Sequence, residues 1–85
     1  MQKWEYCRLL YDAGTNDYWM LQYKPTGSAA VRIKRDAAVG DSDDTAAWWR
    51  TIAKLGIAGW ELVSAYQDSS GSHHLYFKRP LVEAE

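Results

Sequence analysis

Gly56 and Gly59 bracket two residues, Ile57 and Ala58, between a segment with helical spacing and a segment of strand formers. Upstream, Thr45, Trp48, Trp49, Ile52 and Leu55 recur at offsets of three and four, which lines one face of an α-helix. Ala47, Arg50 and Lys54 fall opposite, on the side that suits water. Asp41-Ser42-Asp43-Asp44 supplies the start: Ser42 or Asp43 can accept from the free N–H groups, and the carboxylates complement the positive end of the helix dipole. Lys54 lies in the last turn, and Gly56 fits the left-handed residue that commonly ends a helix. Gly59 then releases the chain into Trp60-Glu61-Leu62-Val63-Ser64-Ala65-Tyr66, rich in β-formers. A helix over about 43–55 and a strand over about 60–67 follow.

The remaining strands are read outward from this junction. Residues 3–11 make a first strand, with Trp4, Tyr6, Arg8 and Leu10 on one face and Glu5, Cys7, Leu9 and Tyr11 on the other. The turn chemistry of residues 12–17 leads to a second strand over 18–24, where Tyr18, Met20 and Gln22 alternate with Trp19, Leu21 and Tyr23. Lys24-Pro25-Thr26-Gly27-Ser28 is a turn. A third strand over 29–35 puts Val31 and Ile33 on one side, Arg32 and Lys34 on the other. In strand four, Trp60 and Leu62 are set against Val63 and Ala65. A small polar loop at 68–72 precedes a fifth strand over 73–79, which Pro80 stops because it has no N–H to donate. The expected fold is α+β: an antiparallel sheet of about five strands, element order βββαββ, with one helix packed on one face. Residues 1–80 form a single domain, with 13–42 as a hairpin insertion and 81–85 as a frayed tail.

The segments Trp4-Glu5-Tyr6, Leu55-Gly56-Ile57-Ala58-Gly59-Trp60-Glu61-Leu62-Val63 and Tyr76-Phe77-Lys78-Arg79-Pro80 resemble a small bacterial and phage family of unknown function. Its pattern runs W-E-Y, then L-G-x-x-G-W-E-L-V, then Y-x-F-K-R-P. The resemblance covers the first dozen residues and roughly the last forty, and implies a fold and no activity. Residues 13–42 depart from that pattern.

Charge and cysteine usage narrow the classes. Ten basic residues nearly balance eleven acidic ones, so no long-range field draws the chain to a nucleic-acid polymer or an anionic membrane. Arg32, Lys34 and Arg35 cluster ahead of an acidic run from Asp36 to Asp44, read as two solvated surfaces. The single Cys7 excludes an internal disulfide. No apolar run has the length of a signal peptide or a membrane span, which points to a cytoplasmic protein.

No catalytic constellation assembles. His73 and His74 are adjacent on a strand, so they point to opposite faces and cannot share one metal. Cys7 sits mid-strand with nothing to activate it, and reads as a small apolar core group. Glu61 has no partner carboxylate and reads as a structural pair for Arg8 or Lys78. Gly56 and Gly59 follow a helix instead of opening one, so they make no phosphate loop. No enzyme, metal or cofactor is expected.

What remains is an excess of aromatic surface. A 13-residue helix is about 20 Å long and covers one face of a sheet, yet the strands carry rings on both faces. The expected function is a non-enzymatic interaction module that self-associates, a dimer being favoured, through an aromatic sheet face that includes Tyr18, Trp19, Met20 and Tyr23. The alternative is binding or sequestration of a small aromatic anion such as a nucleotide signal. Its site would draw on Trp4, Arg8, Trp19, Tyr23, Lys24, Arg32 and Lys34, the rings to stack a base and the cations to hold its charge.

Overall fold

The computed structural model describes residues 1–81 and has the expected architecture. Five strands, β1 (Trp4–Asp12), β2 (Asp17–Lys24), β3 (Gly27–Ile33), β4 (Glu61–Gln67) and β5 (His73–Pro80), form one sheet in the order β3-β2-β1-β5-β4. Every pairing is antiparallel. One helix, α1 (Asp44–Ile57), lies between β3 and β4 in sequence and so carries the chain from one edge of the sheet to the other. Residues 13–42 supply β2 and β3, and β2 pairs with β1 of the same chain.

β1 is the middle strand and anchors the core. Cys7 and Leu9 are fully buried on the helix side, with Ile33, Ala47, Trp48, Leu55, Trp60 and Phe77 around them. Register explains the cluster: Leu9 stands opposite Met20 on β2 and Leu75 on β5, while Cys7 stands opposite Phe77. Burial pushes the Cys7 thiol up to about 11, so it stays neutral and packs as an apolar group.

The ends of α1 show why its boundaries differ from those expected. Asp43 caps the start, its carboxylate accepting from the Ala46 N–H at 2.8 Å. At the other end Gly56 remains helical and Gly59 takes the positive φ of 90°. The Trp60 N–H donates to the Leu55 carbonyl at 2.9 Å and the Gly59 N–H to the Gly56 carbonyl at 3.1 Å, the paired bonds of a Schellman cap. The capping role read for Gly56 therefore belongs to Gly59. Trp60 lies outside the strand, and its burial beside Leu55 completes the cap with an apolar contact.

α1 is also rotated relative to its sequence stripe. Ala47 is buried, whereas Trp49 is 63% exposed. The helix lies toward the β3 edge, where Leu55 and Thr51 approach Ile33 and Met20, and the Tyr18 ring meets Trp48 at 5.3 Å. The sheet under the Trp49 side of the helix is left uncovered. Arg50, read as a solvent residue, instead forks onto Asp41, with Nη2 2.7 Å from Oδ2 and Nε 3.0 Å from Oδ1. The Asp41 carboxylate also accepts from the Asp36 N–H, and the Arg50 bond holds it below the usual carboxylate range.

Two strand readings change. β3 begins at Gly27 and ends at Ile33 because Lys24 pairs with Gly27 across Pro25-Thr26, and the Arg35 N–H turns away to Asp44. In β4 a bulge falls between Leu62 and Ser64, so Leu62 and Ala65 both face the helix side, opposite Phe77 and Leu75. The expected alternation of Leu62 against Ala65 is cancelled by that extra residue. Pro80 ends β5 opposite Trp4, and the Leu81 N–H still donates to the Lys3 carbonyl at 2.8 Å. The rest of the expected frayed tail, residues 82–85, lies outside the described residues.

Candidate functional site

Register assigns every paired strand residue to a face. The face away from α1 is organised in rows across the sheet. One row runs Tyr66, His74, Leu10, Trp19, Arg32 from β4 to β3. The next runs Ser64, Tyr76, Arg8, Leu21, Ala30, and a third runs Glu61, Lys78, Tyr6, Tyr23, Ser28. Trp4 stands opposite Pro80 at the end. None of these rows has helical cover. Trp4 is 39% exposed, Tyr6 49%, Tyr23 38% and Tyr66 48%.

The polar groups on this face are held in place by the rings. Arg8 is the fifth of nine residues on the third of five strands, the geometric centre of the sheet. Its guanidinium lies 5.7 Å from the Tyr76 ring centroid and 6.0 Å from that of Tyr23, and Nη1 donates to the Tyr76 hydroxyl at 3.3 Å. Among the described residues no carboxylate pairs with it, and its buried Nε has no hydrogen-bond partner. Lys78 places its ammonium 4.2 Å from the Trp4 centroid. Glu61 stands opposite Lys78 in register, but among the described residues it forms no ion pair with Lys78 or Arg8.

At the β4 edge the Tyr66 ring stacks on His74 at 4.6 Å and 10°, and on Tyr76 at 6.3 Å and 11°. The His74 imidazole is fixed from the loop, where Nε2 lies 2.8 Å from Asp68 Oδ2. Asp68 Oδ1 in turn accepts from the Ser70 hydroxyl and from the Ser70 and Ser72 N–H groups. The Ser70 hydroxyl, then His74, holds the Asp68 carboxyl well below its usual range. The order is Ser70, Asp68, His74, so the carboxylate separates hydroxyl from imidazole and no nucleophile–base pair forms. Hydrogen bonding with Tyr76, with desolvation second, raises the Tyr66 phenol above its ordinary range, so it is uncharged at neutral pH.

Of the residues singled out from the sequence, Trp4, Arg8, Trp19, Tyr23 and Arg32 come together on this face. Arg32 is occupied by an ion pair with Asp17. Lys24 belongs to the helix-side register at the far end of β2, and Lys34 lies beyond β3 beside α1. Tyr18 and Met20 do not join Trp19 and Tyr23: they point under the helix, where the Tyr18 hydroxyl meets Thr45 at 3.1 Å. No single surface holds all four. Tyr6, Tyr66, His74, Tyr76 and Lys78 complete the face. Parity within β1 alone assigns Tyr6 to it; His74, Tyr76 and Lys78 join once β5 is known to lie beside β1, and Tyr66 once β4 is paired with β5 past its bulge, neither of which the sequence states.

A concavity lies between α1 and the sheet. Tyr11, Tyr18, Trp48, Trp49, Leu75 and His73 enclose part of a cleft of about 340 Å³. It is apolar, with His73 against Tyr11 at 5.9 Å. Among the polar groups of its lining, the Tyr18 and Thr45 hydroxyls bond each other and the Tyr11 hydroxyl donates to Asn16. No group of three or more metal-ligating side chains occurs among the described residues. None of their helices is long and apolar enough to cross a membrane. No family model, curated protein or solved structure matches the chain.

Proposed function

We propose that this chain is a non-enzymatic interaction module, and that a second copy of itself covers the open sheet face. The observation that carries this reading is the set of four rings, Trp4, Tyr6, Tyr23 and Tyr66, each exposed by more than a third on the side opposite the helix. Monomeric proteins rarely leave so many large rings together in water. Five strands about 4.8 Å apart and about 26 Å long make a face of about 600 Å². Two such faces remove about 1,200 Å² from water, the lower end of a stable specific interface. Tyr and Trp are the residue types that dominate such interfaces.

Sedimentation equilibrium between 1 and 100 μM tests the reading. It predicts a monomer–dimer equilibrium with a dissociation constant in the micromolar range. A chain that stays monomeric at 100 μM in physiological buffer contradicts it.

A further inference from the structure

The centre of the open face is a cation, and that bears on how two copies meet. This inference rests on the self-association proposed above. In an isologous face-to-face pair the patch is its own partner, so residues at the centre meet their own images. Arg8 occupies that centre. A centred pair therefore brings two guanidiniums together, neither of which has a carboxylate of its own among the described residues. The three rows hold one carboxylate, Glu61 on the edge strand; Asp12 and Asp17 lie beyond them at the end of the β1–β2 pair, Asp12 accepting from the Gly14 N–H and Asp17 held by Arg32.

We infer that an aromatic anion of the nucleotide class binds between the two Arg8 side chains and bridges the dimer. The chemistry on each side fits that class. The guanidinium supplies charge and, beside the Nη1 bond to the Tyr76 hydroxyl, further N–H donors suited to phosphate oxygens. Tyr23 and Tyr76 flank it, and Tyr66 and Tyr6 lie next to them on the same face, giving flat surfaces on which a base can stack. Hydrogen bonding to Asp68 and stacking on Tyr66 fix His74 at the border of this platform. The anion meets one cation from each copy, so its affinity depends on the dimer and the dimer's affinity on the anion, by the same factor.

The test is sedimentation of the wild type and Arg8→Leu, each alone, with inorganic phosphate and with AMP at millimolar concentration and constant ionic strength. The wild-type dimer is expected to tighten by about tenfold or more with AMP, the scale of a charge-assisted contact, and by less with phosphate. Arg8→Leu is expected to dimerise without any anion and to ignore both. A wild type that dimerises equally well in all three conditions overturns the bridging anion and leaves self-association standing. Equal tightening by phosphate and AMP overturns the aromatic part. If neither protein associates under any condition, the parent reading fails with it. Circular dichroism of Arg8→Leu confirms that the variant is folded.

Discussion

Leu9→Ala is expected to lower stability by about 3 kcal/mol, within the range measured for emptying a well-packed leucine site. Leu9 is fully buried on the central strand, between Met20 and Leu75 in register. The helix lies across one side of the sheet and two strands flank the site, so the surroundings have little freedom to collapse into the space. A domain of this size has a small margin, and about 3 kcal/mol corresponds to a drop of roughly 12–24 °C in Tm. Leu10→Ala, one residue along, is the contrast. Leu10 faces the open side, and its loss is expected to lower stability by about 1 kcal/mol or less in the monomer. Thermal and urea unfolding of both variants measure the difference. Equal losses would mean that the helix side is not the core.

Replacing Tyr6 and Tyr23 together by alanine is expected to weaken self-association by about a hundredfold or more, the scale of losing paired interface anchors. The two residues stand opposite each other on β1 and β2, in the row next to that of Arg8, so they form one block beside the centre of the face. Neither belongs to the buried core. The folded monomer is expected to lose only about 1–2 kcal/mol from reduced strand preference and cross-strand contact. Trp49→Ala, on the helix side, is the matched control. It removes a larger and more exposed ring and is expected to leave association unchanged. Sedimentation of the three proteins reads the outcome. Dissociation by Trp49→Ala but not by the tyrosine pair would move the interface to the cleft under α1.

The parts of this molecule written in local sequence were readable, and the parts written in pairing were not. Alternation placed Trp4, Tyr6, Arg8 and Leu10 together, because parity along one strand needs no partner. Turn residues gave the hairpins and hence the element order. Which strands lie side by side is decided by long-range packing, so the row Tyr76–Arg8–Leu21 was invisible until β5 was placed beside β1. Gly56 and Gly59 both suit a helix end, and the choice of Gly59 rests on the bond from the Trp60 N–H to Leu55. The β4 bulge reverses parity with no residue that announces it. Trp49 matched the apolar stripe, but where α1 sits over the sheet sets which side of that stripe is covered. Grouping Tyr18 and Met20 with Trp19 and Tyr23 joined residues from two faces, as alternation within β2 itself separates them.

The open sheet face is expected to become covered when copies meet. Hydroxyl-radical footprinting at 1 μM and 100 μM tests it residue by residue, with Trp49 as an internal reference on the other side of the molecule. Oxidation of Trp4, Tyr6, Tyr23 and Tyr66 is expected to fall at the higher concentration while that of Trp49 does not change. Unchanged oxidation of all four rings, or protection of Trp49 in their place, would contradict it.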